Sequence, residues 1–353
     1  MTTVNNQQLA TRQAYPLDMK VGLSLRRIRH WHDRYAGHVY VAFSGGKDST
    51  VLLHLVRSMF PDVPAVFVDT GLEYPEIRDF VRDTENVTWL RPTQTFRQVI
   101  EKHGWPVVSK QVADAVRRIR SPGSSERTRR KALYGDERGS FGKLPRKWRF
   151  LLDAPFPISD KCCEVMKIRP VTKYHRQSGR ASFVGTMAGD SNKRRFAYMK
   201  HGCYRDDLQV PRCTPLAFWT DIDIWDYIER NQLPYCPVYD SGVRHTGCMF
   251  CCFGLASEPE PNRFQLMQHS HPGLWTYCMN KLGLREVLEF LGVPGEIGEG
   301  EAPAPCRRCD AHPLGQPGAA GGGLAAGLFD ANLDGEAAIE PVGAGRPATN
   351  RRE

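Results

Sequence analysis

Six consecutive residues near the amino end combine glycine, hydroxyl, amine and carboxylate groups in a pattern suited to binding phosphate. They are Ser44, Gly45, Gly46, Lys47, Asp48 and Ser49, and they separate an apolar run from a helical pattern. Two glycines allow a sharp turn whose backbone N–H groups point into one concavity, and the helix that follows adds the positive end of its dipole. Lys47 supplies a mobile charge, while Asp48 can cap the helix or bind a metal ion. The segment predicts a phosphate-binding loop rather than a merely tight turn.

Polar groups also follow two other apolar runs, at residues 65–68 and 181–184. Asp69 and Gly71 come directly after the first run. The second run leads into a candidate anion-binding loop that contains Gly185, Asp190, Ser191 and Arg194. If both runs are parallel strands, their carboxyl ends share one edge of a sheet with the phosphate loop. These residues are therefore predicted to line one nucleotide site.

Cysteines form a second candidate site. Cys162 and Cys163 are adjacent, and Cys248 and Cys251 stand in a Cys-x-x-Cys turn. Four thiolates select zinc or an iron–sulfur cluster. Adjacent cysteines are awkward for one tetrahedral ion but can each bind a different iron, which favours [4Fe-4S] over Zn. The alternative is that these cysteines are small buried apolar side chains.

The remaining cysteines have less defined uses. Cys252 directly follows Cys251, so either residue of that pair is a candidate ligand. Isolated cysteines are expected to fill the core, namely Cys203, Cys213, Cys236 and Cys278. Cys306 and Cys309 are flanked by arginines, and they form a redox pair, a sulfur relay or a passive part of the tail.

Strand and helix patterns alternate after the phosphate loop, and this predicts an α/β fold with a doubly wound, mostly parallel sheet. Expected strands lie at residues 65–68, 87–90 and 181–184, and a helix at 221–230 is capped by Thr220 with Asp223. Residues 1–35 form a polar arm and a leading helix, and 36–295 form the nucleotide-binding domain with a helical C-terminal part. Residues 296–353, rich in Gly, Ala and Pro, are predicted to be a disordered tail.

The 353 residues carry a formal net charge of +9, which suits a polyanionic partner such as DNA or RNA. Residues 117–149 form a basic insertion, with twelve Lys/Arg against three Asp/Glu. This insertion is a solvated lid, a loop that orders on nucleic acid, or a helix surface. The sequence shows no signal peptide and no apolar run long enough for a membrane, so a cytoplasmic protein with reduced thiols is expected.

The loop at residues 44–49 resembles the Ser-Gly-Gly-x-Asp-Ser loop of the PP-loop ATP pyrophosphatases. With the cysteine motifs and the loop at 185–194 in order, the chain resembles the phosphoadenosine phosphosulfate (PAPS) reductase family over about residues 35–295. The resemblance implies a fold like that of adenine nucleotide alpha-hydrolases. It also implies that the four cysteines resemble the [4Fe-4S] ligands of the adenylylsulfate reductase branch and of related DNA phosphorothioation proteins.

Two departures from the family matter. Met187 and Asp190 stand where the family's Gly-x-Arg-x-x-Glu-Ser-x-x-Arg loop has its first arginine and its glutamate. The chain also lacks the Glu-Cys-Gly-Leu-His segment whose cysteine is the nucleophile of the true reductases. It looks closer to short relatives, often phage-borne, that carry Thr-Gly-Cys-Met-Phe-Cys.

The resemblance implies an enzyme that binds ATP with Mg²⁺ or an adenylyl sulfonucleotide, and adenylates an acceptor, with nucleic acid as one candidate, for sulfur transfer or reduction. Lys47, Asp48 and Asp69 are the candidate catalytic residues. One alternative is a true reductase that forms sulfite with a partner such as thioredoxin or a sulfur donor. The other is a non-catalytic nucleotide- and nucleic-acid-binding subunit of a modification or defence complex. The chain is expected to work as a homodimer or as a subunit of such a complex.

Overall fold

The computed structural model describes residues 4–136, 143–243 and 246–298. Within these residues the strands are β1 Val39–Ala42, β2 Ala65–Val68, β3 Val87–Leu90, β4 Val107–Val108, β5 Ala181–Val184, β6 Tyr204–Arg205, β7 Arg212–Cys213 and β8 Cys252–Phe253. The predicted disordered tail, with Cys306 and Cys309, lies outside the described residues from residue 299 onward.

The described α-helices are α1 Asn6–Gln13, α2 Leu17–Arg34, α3 Lys47–Arg57, α4 Pro75–Arg82, α5 Phe96–His103, α6 Lys110–Arg120, α7 Glu126–Tyr134, α8 Arg169–Ser178, α9 Asn192–His201, α10 Asp221–Arg230, α11 Arg263–Ser270, α12 Pro272–Thr276 and α13 Leu284–Leu291. Helices α11 to α13 form the predicted helical C-terminal part. Short 3₁₀ turns and two π-helical segments complete the described secondary structure.

Six strands form one sheet in the order β3-β2-β1-β5-β7-β6. All neighbours are parallel except β6 and β7, which are antiparallel. The chain moves from β1 outward through β2 to β3, and then returns to place β5 on the other side of β1. The winding direction therefore reverses between β1 and β5, and ligand crevices of α/β sheets form at the carboxyl ends of strands at such a point. The mostly parallel α/β sheet predicted from the sequence is confirmed.

Apolar side chains explain why these segments are strands and helices. In β1, Val39 and Val41 are fully buried, as expected of a central parallel strand that is covered on both faces. Helix α2 buries Ile28 and Trp31. Helix α3 buries Leu52, and its first residues belong to the predicted phosphate loop. The core thus fixes α3 directly behind the predicted phosphate loop.

The amino-terminal segment differs from the predicted polar arm because it is helical. Asn5 and Gln8 form a reciprocal capping box that starts α1, and Leu9 is buried. Helix α2 begins at Leu17, directly after Pro16, which is well suited to the position before a helix. Local capping and one apolar side chain therefore outweigh the polar composition of this stretch.

The basic insertion is also helical where it is described. Helices α6 and α7 pack on each other, and the returning chain pairs with α7 through a hydrogen bond from the Leu144 N–H to the Ala132 carbonyl, 2.7 Å long. Which of the three predicted roles the insertion has stays a prediction. In the described part of the chain, no helix is long and apolar enough to cross a membrane.

Candidate functional site

The loop between β1 and α3 has space only for glycine at its turn. Gly45 has φ +70°, and a Cβ added there would lie 2.9 Å from Val81 and 3.0 Å from Ile77 of α4. A Cβ on Gly46 would lie 2.5 Å from the Thr246 hydroxyl oxygen. Both glycines are thus required by close approach, as expected of a loop that turns its main chain tightly.

Ser44 and Ser49 hold this loop in its turned shape. The Ser49 hydroxyl donates to the Gly46 carbonyl at 2.8 Å and accepts from the Ser44 N–H at 3.1 Å. The two serine hydroxyls are 3.1 Å apart. In the structure these hydroxyls bond within the loop, and their predicted contact with a nucleotide stays a prediction.

Lys47 is buried, with 4% of its side chain exposed, and its ammonium lies between two carboxylates. Nζ is 2.8 Å from Asp48 Oδ1 and also donates to Asp221 Oδ1. Burial lowers the pKa of Lys47, but Asp48 and Asp221 outweigh burial, so its pKa is raised and the ammonium stays charged. Burial raises the pKa of Asp48 against the effect of Lys47, and Asp190 and Asp221 add to the rise.

Residues distant in sequence enclose Lys47, and sequence reasoning missed their role. The Lys47 backbone N–H donates to the Tyr239 hydroxyl at 2.9 Å, and that oxygen lies 3.2 Å from the Thr246 hydroxyl. The Lys47 Nζ lies 5.9 Å from the Trp225 ring centroid. Asp221 and Trp225 are four residues apart on α10 and so share one helix face. That spacing was the only signal in the sequence that these two side chains lie together beside Lys47.

The loop after β5 lies directly against the phosphate loop, as predicted. A Cβ on Gly185 would lie 3.0 Å from the Asp48 carbonyl oxygen. The Asp190 carboxylate accepts from the Met187 N–H at 2.8 Å and pairs with Arg194 at 2.5 Å. Ser191 caps α9 by accepting from the Arg194 N–H. These polar groups shape the loop, and the Arg194 side chain remains half exposed beside it.

Asp69 at the tip of β2 is buried and paired with arginines. Its carboxylate accepts from Arg78 at 3.2 Å, lies 3.4 Å from Arg91, and accepts from the Gly71 N–H at 3.2 Å. Gly71 has φ +72°, which glycine adopts without strain. Two arginines compete with any metal ion for this carboxylate, so a role for Asp69 in binding Mg²⁺ stays a prediction.

The four predicted ligand cysteines influence one another electrostatically. Cys162 and Cys163 stand in the turn that opens the π-helical segment Glu164–Ile168, which continues into α8. Burial raises the pKa of the Cys162 thiol, and nearby Cys248, Cys163 and Cys251 raise it further. Burial also raises the pKa of Cys251 to about 11, with Cys248 adding to it. These thiols therefore lie within electrostatic range of one another.

These thiols fit a soft metal or cluster by their chemistry. The Phe253 N–H donates to the Cys251 sulfur at 3.4 Å, and hydrogen bonds of this kind orient and tune thiolate ligands. Among residues 4–136, 143–243 and 246–298, however, no three His, Cys, Asp or Glu side chains form a closed metal-binding group. The cluster therefore stays a prediction with a suitable donor set.

Lys167 and Glu73 lie beside these thiols. Cys248 raises the pKa of Lys167 more than burial lowers it, and Glu73, 3.8 Å from Nζ, raises it further. Residues 246–251, here called the cysteine loop, contain Cys248 and Cys251. A hydrogen bond of 2.8 Å from the Met249 N–H to the Leu72 carbonyl connects this loop to the loop after β2. The cysteine loop thus contacts that loop through Met249 and the phosphate loop through Thr246.

The other described cysteines are buried. Cys252 pairs with Val107 between β8 and β4 and is fully buried, which leaves Cys251 as the more accessible member of that pair. Buried positions are also found for Cys203, Cys213, Cys236 and Cys278, in agreement with the expected core-filling use.

Together, the sheet order and the Ser-Gly-Gly-Lys-Asp-Ser loop at the β1–β5 reversal define an α/β protein of the PP-loop class. The phosphoadenosine phosphosulfate reductase domain matches residues 38–124 and 129–253, and the chain belongs to that family. The family predicted from the loop and cysteine motifs is thereby confirmed.

Two relatives match most of this chain at low sequence identity. An adenosine 5'-phosphosulfate reductase from Geobacillus kaustophilus is 24% identical over 262 residues, which cover 74% of this chain and 92% of that protein. An uncharacterized protein from Methanocaldococcus jannaschii is 25% identical over 277 residues, which cover 77% of this chain and 46% of that protein.

Two solved structures match this chain at a lower sequence identity than these relatives. A PAPS reductase from Candida auris in its phosphate complex has a TM-score of 0.39 and 16% identity, covering 70% of this chain and 96% of that chain. The U34-tRNA thiolase NcsA from Methanococcus maripaludis, with its [4Fe-4S] cluster, has a TM-score of 0.33 and 16% identity, covering 81% of this chain and 85% of that chain.

Proposed function

We propose that this chain is an ATP pyrophosphatase-type enzyme that binds ATP at residues 44–49 and adenylates an acceptor for sulfur transfer or reduction. The observation that carries the proposal is the buried ammonium of Lys47, which Asp48 and Asp221 hold at the strand edge where the sheet reverses. A fixed cation at such a crevice stabilises charge that develops on phosphate oxygens.

In the proposed reaction, an acceptor oxygen attacks the α-phosphorus of ATP and forms a new P–O bond. The bond from that phosphorus to the bridging oxygen breaks, and pyrophosphate leaves with both electrons. Lys47 and the start of α3 offset the charge on the leaving group, while Asp48 binds Mg²⁺. The loop at Gly185 and the half-exposed Arg194 bind the other end of the nucleotide or the acceptor.

Cys162, Cys163, Cys248 and Cys251 would hold a [4Fe-4S] cluster, or zinc in its place. When bound, a cluster supplies electrons or sulfur to chemistry at the neighbouring nucleotide loop. Support for this neighbourhood comes from Thr246, two residues before Cys248, whose hydroxyl lies close to Gly46. The chain itself contributes the apolar burial of the thiols and the Phe253 N–H bond to Cys251.

Reduction of a sulfonucleotide to sulfite is the second candidate function. It is favoured by the Geobacillus kaustophilus relative, which is named an adenosine 5'-phosphosulfate reductase and is matched over 92% of its length. Met187 weighs against it, because the side chain that replaces the family's arginine is buried and apolar. An arginine-mediated contact to the sulfonucleotide is thus unavailable at this position.

The experiment is to incubate the anaerobically purified full chain with ATP labelled at the α-phosphate, and separately with labelled pyrophosphate and unlabelled ATP. Release of AMP and exchange of pyrophosphate into ATP support the proposal, and a Lys47→Met variant should abolish both. Production of ADP and phosphate contradicts it. Sulfite formed from adenylylsulfate or PAPS with a thiol reductant, without any pyrophosphate chemistry, would establish the second candidate instead.

A further inference from the structure

The basic insertion contains two structurally different sets of cations. Five arginines bond to other groups of the protein. Arg117 pairs with Asp114 and with Asp160 at 2.9 Å, and Arg118 pairs with Asp114. Backbone carbonyls accept from Arg120, Arg129 and Arg149. Arg117 and Arg120 connect α6 to Asp160 and Phe156, and the other three bond to residues 114–133, so all five charges have partners within the fold.

The second set lies on the outer face of α7. Arg127, Arg130 and Lys131 are exposed, and Tyr134 exposes 62% of its surface. At 100° per residue these four positions occupy a contiguous arc of roughly 100°. The opposite face carries Ala132, which is buried. We name this arc the α7 surface.

The α7 surface has no carboxylate partner among the described residues. None of its three cations forms an ion pair there, whereas twelve other arginines of the described residues do, such as Arg117 with Asp114. Helix neighbours three and four positions apart are about 5–6 Å from each other. Three unpaired cations at that spacing, around an exposed ring, form a surface that matches a chain of phosphates with unpaired bases.

We propose that the α7 surface binds single-stranded nucleic acid, with Arg127, Arg130 and Lys131 on phosphates and Tyr134 stacked on a base. The proposal names the acceptor class of the proposed function and rests on that function for its role, though not for the binding itself. An acidic protein would satisfy the cations, but a single strand supplies phosphates and unpaired bases together along its whole length, which matches cations placed around one exposed ring.

The test measures binding of a short fluorescein-labelled single-stranded DNA and RNA of mixed sequence to the full chain, without ATP, over a range of salt concentrations. The triple variant Arg127→Gln, Arg130→Gln and Lys131→Gln should bind at least about tenfold more weakly. Its slope of log affinity against log salt should fall by about 2, the value for three lost phosphate contacts to a single strand.

A matched control removes three exposed cations elsewhere, with Arg26→Gln, Arg29→Gln and Arg176→Gln. This control should change affinity much less, because it removes the same charge but not the α7 surface. Tyr134→Ala should weaken binding, and Tyr134→Phe should retain it because the ring still stacks. Thermal unfolding of each variant checks that these exposed substitutions leave the fold intact.

Three results would overturn the proposal. They are equal losses in the two triple variants, unchanged binding in the α7 triple variant, and competition by polyglutamate as effective as by unlabelled oligonucleotide. The last result would assign the surface to acidic proteins. Binding at α7 by a protein that fails to release pyrophosphate would refute only the proposed function, whereas pyrophosphate release without oligonucleotide binding would refute only the α7 proposal.

Discussion

The first turn of α10 carries two carboxylates, and each binds a buried lysine in a different region of the molecule. Asp223 binds Lys20 of α2 through both oxygens, at 2.7 and 2.6 Å, and also accepts from the Thr220 backbone N–H and hydroxyl. Asp221 pairs with Lys47 at the phosphate loop through one oxygen. The side chain of Asp223 is 11% exposed and that of Asp221 is 61% exposed.

The difference shows what each ion pair can do. Asp223 has its oxygens fully used and is shielded from water, so the pair with Lys20 can only hold the fold together. Asp221 keeps one oxygen free of Lys47 and remains open to solvent, so Lys47 can exchange this partner for a phosphate. Buried pairs are costly to break, whereas exposed partners contribute little to stability.

The largest expected effect is on stability, from breaking the enclosed pair. Lys20→Met leaves the Asp223 carboxylate buried without its cation, and we expect a loss of about 3–5 kcal/mol in the free energy of unfolding. Urea denaturation measures it. The double variant Lys20→Met with Asp223→Asn should recover part of this loss, since no unpaired charge remains. A loss below about 1 kcal/mol in the single variant would contradict the comparison.

The next largest expected effect is on catalysis, from changing the solvent-exposed pair of Lys47 and Asp221. Lys47→Met removes the charge that faces the leaving pyrophosphate, and we expect kcat to fall by about 10²–10³-fold. Pyrophosphate release from ATP is the readout, with the Lys20→Met variant assayed at a temperature where it remains folded. If both lysine variants lost activity in proportion to their unfolding, Lys47 would belong with Lys20 as a structural residue.

In the proposed mechanism Asp221 is a positioning residue that acts through Lys47, and its removal should have a smaller effect. We expect Asp221→Asn to lower kcat about tenfold, to leave KM for ATP little changed, and to change stability by less than about 1 kcal/mol. Asp221→Glu should restore much of the rate because it returns a carboxylate to Nζ. Failure of this rescue together with an unchanged kcat in Asp221→Asn would remove Asp221 from the site.

The smallest expected effect concerns Glu76, whose carboxylate lies 2.9 Å from His271 Nε2 and connects α4 to the C-terminal helices. This hydrogen bond is the main cause of the lowered pKa of Glu76, relative to an ordinary value of 4.5. A depressed carboxyl pKa contributes stability that is present above pH 4.5 and lost as the pH falls through the folded-state value.

The corresponding variant is Glu76→Gln, measured by urea denaturation across that pH range. Because the Glu76 side chain is 36% exposed, we expect the wild type to exceed it by only about 1 kcal/mol or less at pH 6. The difference should shrink as the pH falls below 4.5. A difference that stays constant with pH would show that the carboxyl charge contributes nothing.

The sequence predicts most of the elements that build the nucleotide site, because local patterns decide them. Strands β2, β3 and β5 and helix α10 have the predicted bounds, and Thr220 and Asp223 form the predicted capping box. The partners of Lys47 could not be predicted in the same way. Asp221 and Tyr239 reach it across 174 and 192 residues of chain, so their contacts depend on how α10 and the segment after it pack.

Similar reasoning applies to the basic insertion. The sequence gives the number of cations, but only packing decides that Arg117 bonds to Asp160, 43 residues away, while Arg130 points outward. Helical spacing on α7 would have placed Arg127, Arg130 and Tyr134 on one face if that helix had been predicted. The glycine- and serine-rich stretch before α7 obscured the helix, although Ser125 in fact caps it.

The bond between Lys20 and Asp223 ties helix α2 to the helix that carries Asp221 of the proposed nucleotide site. A shortened protein that began at residue 36 would lose Lys20 and the buried Ile28 and Trp31 of α2, and the Asp223 carboxylate would remain without its cation. The opening turn of α10 would loosen, and Asp221 would release Lys47 with it. Expression trials that remove these helices as dispensable would thus yield a less stable protein with an altered Lys47 environment.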